Sequence, residues 1–148
     1  MAILKNKYPK ISIVTPSYNQ GQFLEQTILS VIGQNYPNLE YIVIDGGSTD
    51  NSVNIIKKYA KYLTYWQSCK DGGQSDAINQ GFSMAKGDIL GWLNSDDMYL
   101  PGTLDYISEK FNAIQGKNNI VFGNCIHINE SNLKVYGSNV VDCHSCLD

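Results

Sequence analysis

Short apolar runs alternate along the chain with stretches in which apolar residues recur at helical spacing. Runs with the length and flanks of buried strands occupy 11–14, 39–44, 65–66 and 89–93. The helical stretches that follow them occupy 23–32, 50–63, 75–85 and 103–114. The alternation predicts an α/β fold, with a mostly parallel sheet covered by helices on both faces.

Three finer features are also predicted. The second helix should turn four residues inward, namely Val53, Ile56, Ala60 and Leu63. Gly87 stands where the glycine cap of the third helix is expected. Beyond the last helix, 120–128 predicts another strand, 129–132 a turn and 133–136 the hairpin partner of that strand.

The bulk composition excludes several classes of protein. The 148 residues are 43% hydrophobic and 17% charged, which is typical of a soluble globular domain. A net charge of -3 and a pI of about 5.2 exclude the basic surface of a nucleic-acid-binding protein. No apolar run approaches the ~20 residues of a membrane helix, and 1–10 holds no apolar stretch of secretory length.

These absences favour a cytoplasmic location. Lys57, Lys58 and Lys61 share one predicted helix, and we interpret them as a solvated face. Peripheral contact with the inner face of a membrane, or with an anionic acceptor, is the alternative for this cluster.

The cysteines and histidines do not form a predicted metal site. Cys143 and Cys146 have the C-x-x-C spacing of half a zinc site or of a redox pair, but the sequence has no second such pair. His127 and His144 are too isolated for a histidine-based site. We interpret the four cysteines as reduced thiols without a metal and His127 as a strand residue.

Polar loops follow the predicted strands at 15–19, 45–50 and 94–97. Ligands of such sheets bind outside the carboxyl ends of the strands, so these loops are expected to converge on one site. Asp96 and Asp97 would repel each other unless a cation, a donor or a proton intervenes. Mg2+ or Mn2+, bridging substrate phosphates, suits such carboxylates, whereas Asp97 alone also suits a turn cap before Pro101.

The other polar loops allow two interpretations each. Asp45 either caps the loop that contains Gly46 and Gly47, or accepts the ring N–H of a base. The segment 15–19 is either a strand-to-helix turn or a site where Tyr18 stacks on a base. The segment 70–74, before a predicted helix, is either a bare loop or a site for a diphosphate or sugar.

Common nucleotide and hydrolase motifs are missing from the sequence. There is no G-x-x-x-x-G-K-[ST], no G-x-G-x-x-G after the first strand and no G-x-S-x-G. A P-loop NTPase, a dinucleotide-binding fold and an α/β-hydrolase are therefore excluded or disfavoured.

Four blocks, taken in order, resemble family-two glycosyltransferases, which are inverting enzymes that use nucleotide-diphospho-sugars on a GT-A (Rossmann-like) fold. The blocks read ISIVTPSYN at 11–19, IVIDGGSTD at 42–50, DGGQSDAINQG at 71–81 and LNSDDMYLPG at 93–102. The resemblance covers roughly 10–128. It implies one GT-A domain over 1–148, with the donor half at 10–128 and an unassigned tail at 138–148.

The resemblance implies a role for each loop. Residues of the first two loops would hold the nucleobase, the loop before the third helix would lie by the ribose, sugar and diphosphate, and Asn94-Ser95-Asp96 would replace the family's D-x-D, with Asp96 binding Mn2+ or Mg2+. The implied nucleotide-sugar-binding residues are Thr15, Pro16, Tyr18, Asn19, Asp45, Lys70, Asp71, Gly73, Asp76, Asn94, Ser95 and Asp96. Asn94 stands where the family usually has an acid, and the loss of that carboxylate would lower the affinity for the metal.

The catalytic base is not placed by the sequence. In the family it follows the D-x-D block, and the acids that remain are Glu130, Asp142 and Asp148. None lies in a clear element, so we expect the chain to be truncated before that base.

The predicted function is transfer of a sugar, with inversion, from a nucleotide-diphospho-sugar to a saccharide or lipid-linked acceptor in cell-surface polysaccharide assembly. A UDP-sugar is favoured because Asp45 suits the N3–H of uracil. The alternative is a donor-binding module without turnover. A sugar-nucleotide pyrophosphorylase is disfavoured because 15–20 lacks the glycines and the cation of its N-terminal loop.

Overall fold

The computed structural model describes residues 7–114, 120–121, 123, 125–128 and 134–138. The chain divides into two compact units, Met1–Ser108 and Glu109–Asp148. The helices and strands, in chain order, are β1 (Ile11–Ser17), α1 (Leu24–Ile32), β2 (Leu39–Asp45), α2 (Ser52–Tyr59) with a 3-10 turn at Ala60–Tyr62, β3 (Tyr65–Ser68), α3 (Gln74–Met84), β4 (Ile89–Trp92), α4 (Thr103–Ala113), β5 (Cys125–Ile128) and β6 (Lys134–Ser138).

The sheet of the first unit is parallel, with the strand order β3-β2-β1-β4. At its carboxyl edge Ser17 of β1 pairs with Asp45 of β2, and Asp45 pairs with Ser68 of β3. Because three strands end level with one another, the loops that follow them leave the sheet at one place. The predicted parallel α/β sheet is confirmed.

The core lies on both faces of the two central strands. Every residue of β1 is buried, as is nearly all of β2, which is typical of parallel strands covered on two sides. On one face, Val14, Ile42 and Ile44 pack with Ala77 of α3. A Cβ on Gly81 of α3 would lie only 2.4 Å from a methyl carbon of Val14, so this glycine lets the helix approach the sheet closely.

Two local predictions on the helices are wrong. Gly87 does not cap α3, because the helix ends at Met84 and Gly87 instead donates its N–H to Ser12 Oγ at 2.8 Å. In this region Ile56 is buried as predicted, Val53, Ala60 and Leu63 are half-buried, and Ile55, outside the predicted stripe, is also buried. The helix gives way to a 3-10 turn after Tyr59, so the α-helical spacing assumed over 50–63 does not hold.

The second unit contains the predicted hairpin. Strands β5 and β6 pair antiparallel, with an irregularity between His127 and Ile128. The strand is shorter than predicted, since residues 120, 121 and 123 lie outside it. The predicted turn at 129–132 and the tail from 139 lie outside the described residues. The single domain over 1–148 stays a prediction.

No helix within the described ranges is long and apolar enough to cross a membrane.

A buried carboxylate fastens the amino edge of the sheet. Glu40 is 3% exposed and accepts hydrogen bonds from Lys10 Nζ at 2.8 Å, Ser12 Oγ at 2.5 Å and the Lys86 N–H at 2.6 Å. Burial acts to raise the pKa of Glu40, but these three donors outweigh burial and lower the pKa to about 2. The carboxylate therefore joins β1, β2 and the segment before β4.

The stability that Glu40 contributes should be lost in acid. Its folded pKa lies below the ~4.3 of an unfolded glutamate, so the contribution is present above about pH 5 and disappears as the pH falls towards about 2. We expect Glu40→Gln to lower the free energy of unfolding at pH 7 by ~1–3 kcal/mol and to flatten its pH dependence below pH ~5. Urea unfolding at a series of pH values measures both effects.

The matched control is Glu25→Gln, because Glu25 pairs with Lys58 at 2.6 Å on the surface. Water and salt screen such an exposed pair, so this variant should leave the acid slope close to that of the wild type. Equal acid slopes for the wild type and Glu40→Gln would contradict the assignment.

Candidate functional site

A cavity of about 800 Å3 lies at the carboxyl edge of the parallel sheet. Four loops line it, one after each of the strands β1 to β4. The lining residues are Pro16, Ser17, Tyr18, Gln20, Gly46, Gly47, Lys70, Asp71, Gly73, Gln74, Ala77, Asn94, Ser95 and Asp96. The predicted convergence of the strand-end loops is confirmed, and the segment after β3 joins them.

Most of the residues predicted to bind a nucleotide-sugar line this cavity, and a few do not. Those that line it are Pro16, Tyr18, Lys70, Asp71, Gly73, Asn94, Ser95 and Asp96. Those outside the lining are Thr15, Asn19, Asp45 and Asp76.

Asp45 has the loop-capping role that the sequence left open. Its carboxylate is fully buried. One oxygen accepts the N–H groups of Gly47 at 3.2 Å and Ser48 at 2.9 Å, together with Ser68 Oγ at 2.6 Å. The other oxygen accepts Ser48 Oγ at 2.5 Å. Four donors thus surround this charge, as burial of a carboxylate requires.

Thr15, Asn19 and Asp76 make hydrogen bonds outside the cavity lining. Thr15 is fully buried, with its hydroxyl 3.0 Å from Tyr41 Oη. Asn19, at φ 52, accepts the Thr49 N–H at 2.9 Å. Asp76 accepts the N–H of Gly72 at 2.9 Å, which holds the segment before α3.

Tyr18 and Lys70 provide surfaces that suit a nucleotide. The side chain of Tyr18 is 62% exposed although it lies on the cavity wall. An accessible ring of this kind can stack on a flat heterocycle. Lys70 is also exposed on the lining, and its ammonium group would attract a diphosphate.

The loop after β4 has one carboxylate turned to the cavity and another used within the loop. Gln74 Nε2 donates to Asn94 Oδ1 at 2.7 Å, and Asn94 Nδ2 donates to Asp97 Oδ2 at 3.1 Å. The Asp97 N–H also donates to the Asn94 carbonyl at 3.1 Å. Asp97 therefore closes the turn, whereas Asp96 is exposed on the cavity lining.

The residues present fit a divalent metal that is shared with a phosphate. Within the part of the chain that the structure describes, no group of three or more His, Cys, Asp or Glu could hold a metal. An all-protein cage is therefore absent there. Mg2+ is usually bound by one or two carboxylates together with waters and substrate phosphates, and Asp96 provides one such carboxylate.

The sequence did not single out several residues of the lining. Ser17 is the clearest, because its Oγ is buried and finds no hydrogen-bond partner among the described residues. Its place at the end of β1 was a usable signal. Gln20 gave no signal, since amide side chains are common in any turn, and Gln74 was predicted only as part of the segment 70–74.

Comparison with known proteins identifies the family. The sequence model of glycosyl transferase family 2 matches residues 12–139. The chain belongs to glycosyl transferase family 2.

Two relatives with similar sequences are uncharacterised glycosyltransferases. One from Mycobacterium tuberculosis (strain H37Rv) is 40% identical over 110 residues, which are 74% of this chain and 41% of the relative. Another from Rickettsia felis is 32% identical over 117 residues, which are 78% of this chain and 19% of the relative. The chain thus spans well under half the length of these relatives.

Solved glycosyltransferases share the GT-A fold. Staphylococcus aureus TarS (residues 1–349) has a TM-score of 0.63 and 26% identity, with 70% of this chain and 32% of that chain covered, and was also solved with UDP. The mannosyltransferase PcManGT from Pyrobaculum calidifontis, solved with GDP-Man and Mn2+, has a TM-score of 0.60 and 26% identity, with 66% and 30% covered. The family-two assignment and the GT-A fold expected from the sequence are confirmed.

The buried position of Asp45 predicts that this family-two chain depends on it for stability. Asp45→Asn replaces one acceptor oxygen by an NH2 group, which cannot accept the donors that now face it. We expect the free energy of unfolding to fall by ~1–3 kcal/mol. Urea unfolding at pH 7 measures the loss, with Asp76→Asn, at an exposed carboxylate, as the control with a smaller loss.

An unchanged free energy of unfolding for Asp45→Asn would contradict the loop-capping role. It would restore the other interpretation of Asp45, as an acceptor for a base.

Proposed function

We propose that this chain binds the nucleotide-diphospho-sugar donor of a family-two glycosyltransferase. The observation that carries the proposal is the cavity at the carboxyl edge of the sheet, where an exposed aromatic ring, a cation and a carboxylate meet. Tyr18, Lys70 and Asp96 are the groups that a base, a diphosphate and a phosphate-bound metal require. UDP and GDP-Man occur in the solved relatives TarS and PcManGT, which supports a nucleotide here.

Each of these groups has a separate task in the proposed complex. Tyr18 stacks on the nucleobase, and Lys70 attracts the diphosphate. Asp96, with Asn94 and Ser95 beside it, holds Mn2+ or Mg2+ through one carboxylate. The metal, when bound, supplies positive charge against the leaving nucleoside diphosphate.

The proposed reaction is sugar transfer with inversion. An acceptor hydroxyl attacks the sugar from the face opposite the diphosphate, and a carboxylate base takes its proton. The acids left open for this role, Glu130, Asp142 and Asp148, lie outside the described residues. The acceptor is a saccharide or a lipid-linked saccharide, as in cell-surface polysaccharide assembly.

A second candidate function is donor binding without turnover. Among the residues described, the carboxylates that line the cavity are Asp71 and Asp96, and both suit the donor rather than an acceptor hydroxyl. Sugar transfer by the 148-residue chain would eliminate this candidate.

A cytoplasmic location, with peripheral association at a membrane as the alternative, stays a prediction. The lysine cluster extends from α2 into the 3-10 turn, which holds Lys61. Its charge is partly neutralised, because Lys58 pairs with Glu25 at 2.6 Å. This pairing favours the solvated-face interpretation.

The proposal predicts metal-dependent binding of UDP. Calorimetry with Mn2+ should show UDP binding to the wild type, and EDTA should abolish it. Asp96→Asn should weaken binding in Mn2+ at least about tenfold, which is about 1.4 kcal/mol. GDP and dTDP, titrated alongside, test the preference for uracil.

The matched control is Asp97→Asn, which keeps an oxygen to accept Asn94 Nδ2 and should bind UDP nearly as well as the wild type. Equal affinity of Asp96→Asn and the wild type in Mn2+ would refute the metal assignment. A wild-type chain that binds no nucleotide would refute the proposed function.

A further inference from the structure

The carboxylate of Asp71 stands in the space that a side chain at position 46 would fill. Gly46 directly follows β2, and both residues line the cavity. A Cβ on Gly46 would lie 3.0 Å from Asp71 Oδ1 and 3.1 Å from Asp71 Oδ2. Any larger residue at 46 would therefore displace the carboxylate.

The glycine at 46 is explained by space rather than by backbone conformation. The glycines with positive φ among the described residues are Gly47, Gly73 and Gly102, and Gly46 is not one of them. Its N–H donates to the Ser17 carbonyl at 2.8 Å, which fixes the backbone beneath the carboxylate. A glycine at 46 thus leaves room at the end of β2 for the carboxylate of Asp71, which lies in the loop after β3.

Asp71 has one oxygen held and one available. Its Oδ1 accepts the Gly73 N–H at 2.8 Å, which orients the carboxylate. Within the described part of the chain, Oδ2 accepts no hydrogen bond. The side chain is therefore positioned by its own loop and presents an acceptor to the cavity that it lines.

Asp45, for which base reading was one of the two predicted roles, does not have this freedom. It is fully buried, is not part of the cavity lining, and accepts four hydrogen bonds from its own and a neighbouring strand end. An acceptor for a base has to come from another residue.

We propose that Asp71 selects the nucleobase of the donor, with Oδ2 accepting the N3–H of uracil while Tyr18 stacks on the ring. This inference rests on the proposed function and deepens it. A carboxylate attracts a ring N–H but repels the lone pair at N3 of cytosine, so the site prefers UDP to CDP. Guanine, through its N1–H, satisfies the same acceptor.

The test compares UDP, CDP and 3-methyl-UDP by calorimetry in Mn2+. The three share the diphosphate and the ribose, and they differ at the base position that Asp71 would read. The wild type should bind UDP at least about tenfold more tightly than the other two, since a site built around a hydrogen bond rejects analogues that lack it.

The isosteric variant Asp71→Asn should abolish or reverse the preference for UDP over CDP. Its Oδ1 keeps the Gly73 N–H, so that Nδ2 takes the place of Oδ2 and donates to N3 of cytosine. We expect the UDP-to-CDP affinity ratio to fall at least about tenfold. Asp105→Asn, at an exposed acid of α4 outside the cavity, should keep the wild-type ratio.

A second variant moves the carboxylate to the strand end. Asp71→Ala frees the space in front of Gly46, whose ordinary backbone conformation accepts a side chain. Asp71→Ala should lose the preference for UDP, and Gly46→Asp combined with Asp71→Ala should regain it. The free energy of unfolding, measured for each variant, shows that the protein is folded.

The outcomes separate the two levels of the proposal. A wild-type chain that binds none of the nucleotides overturns the proposed function, and this inference with it. A wild-type chain that binds UDP and CDP equally overturns the inference alone. Equal losses of UDP and CDP affinity in Asp71→Asn also overturn it, because they place Asp71 against the ribose, the diphosphate or the sugar.

Discussion

The hydrogen bonds to the buried carboxylate of Asp45 are the constraint on which the site depends. Asp45 ends β2, accepts Ser68 Oγ from the end of β3, and organises Ser48 in the loop that follows. Ser48 in turn accepts the N–H of Asn19 at 2.8 Å, which ties in the loop after β1. One charge that could not be buried alone therefore holds three strand ends in register.

The carboxylates near the cavity therefore have different roles: Asp45 stabilises the loops, whereas Asp71 and Asp96 face the cavity. A carboxylate with four donors around it is rigid and is satisfied without a ligand, so it serves the loops. Asp71 and Asp96 line the cavity instead, where their carboxylates can bind a ligand. Gly46 makes this arrangement sterically feasible because it has no side chain. The carboxylate of Asp71, from the loop after β3, can therefore approach the end of β2 to within about 3 Å of where a Cβ of residue 46 would lie.

The sequence predicted what depends on pattern and missed what depends on contacts. Unbroken apolar runs gave β1 and β2, and the polar segments after them gave the convergence on one edge. The predicted extent of the second helix, 50–63, was wrong because a 3-10 turn follows Tyr59. The prediction that Gly87 caps the third helix was wrong because a hydrogen bond to Ser12, 75 residues away, determines the position of Gly87. Spacing within a segment carries no information about such a distant partner.

Strand β2 is anchored by a carboxylate at each end, and this bears on how the cavity forms. Glu40 joins the amino end to β1 and to the segment before β4, while Asp45 joins the carboxyl end to the loops of the site. Between them lies an apolar run buried on both faces. Movement of β2 along its axis would break buried hydrogen bonds at both ends, each costing ~1–3 kcal/mol when left unmade. The floor of the cavity is thus set by folding, and adjustment to a ligand falls to the exposed side chains above it, Tyr18, Lys70 and Asp96.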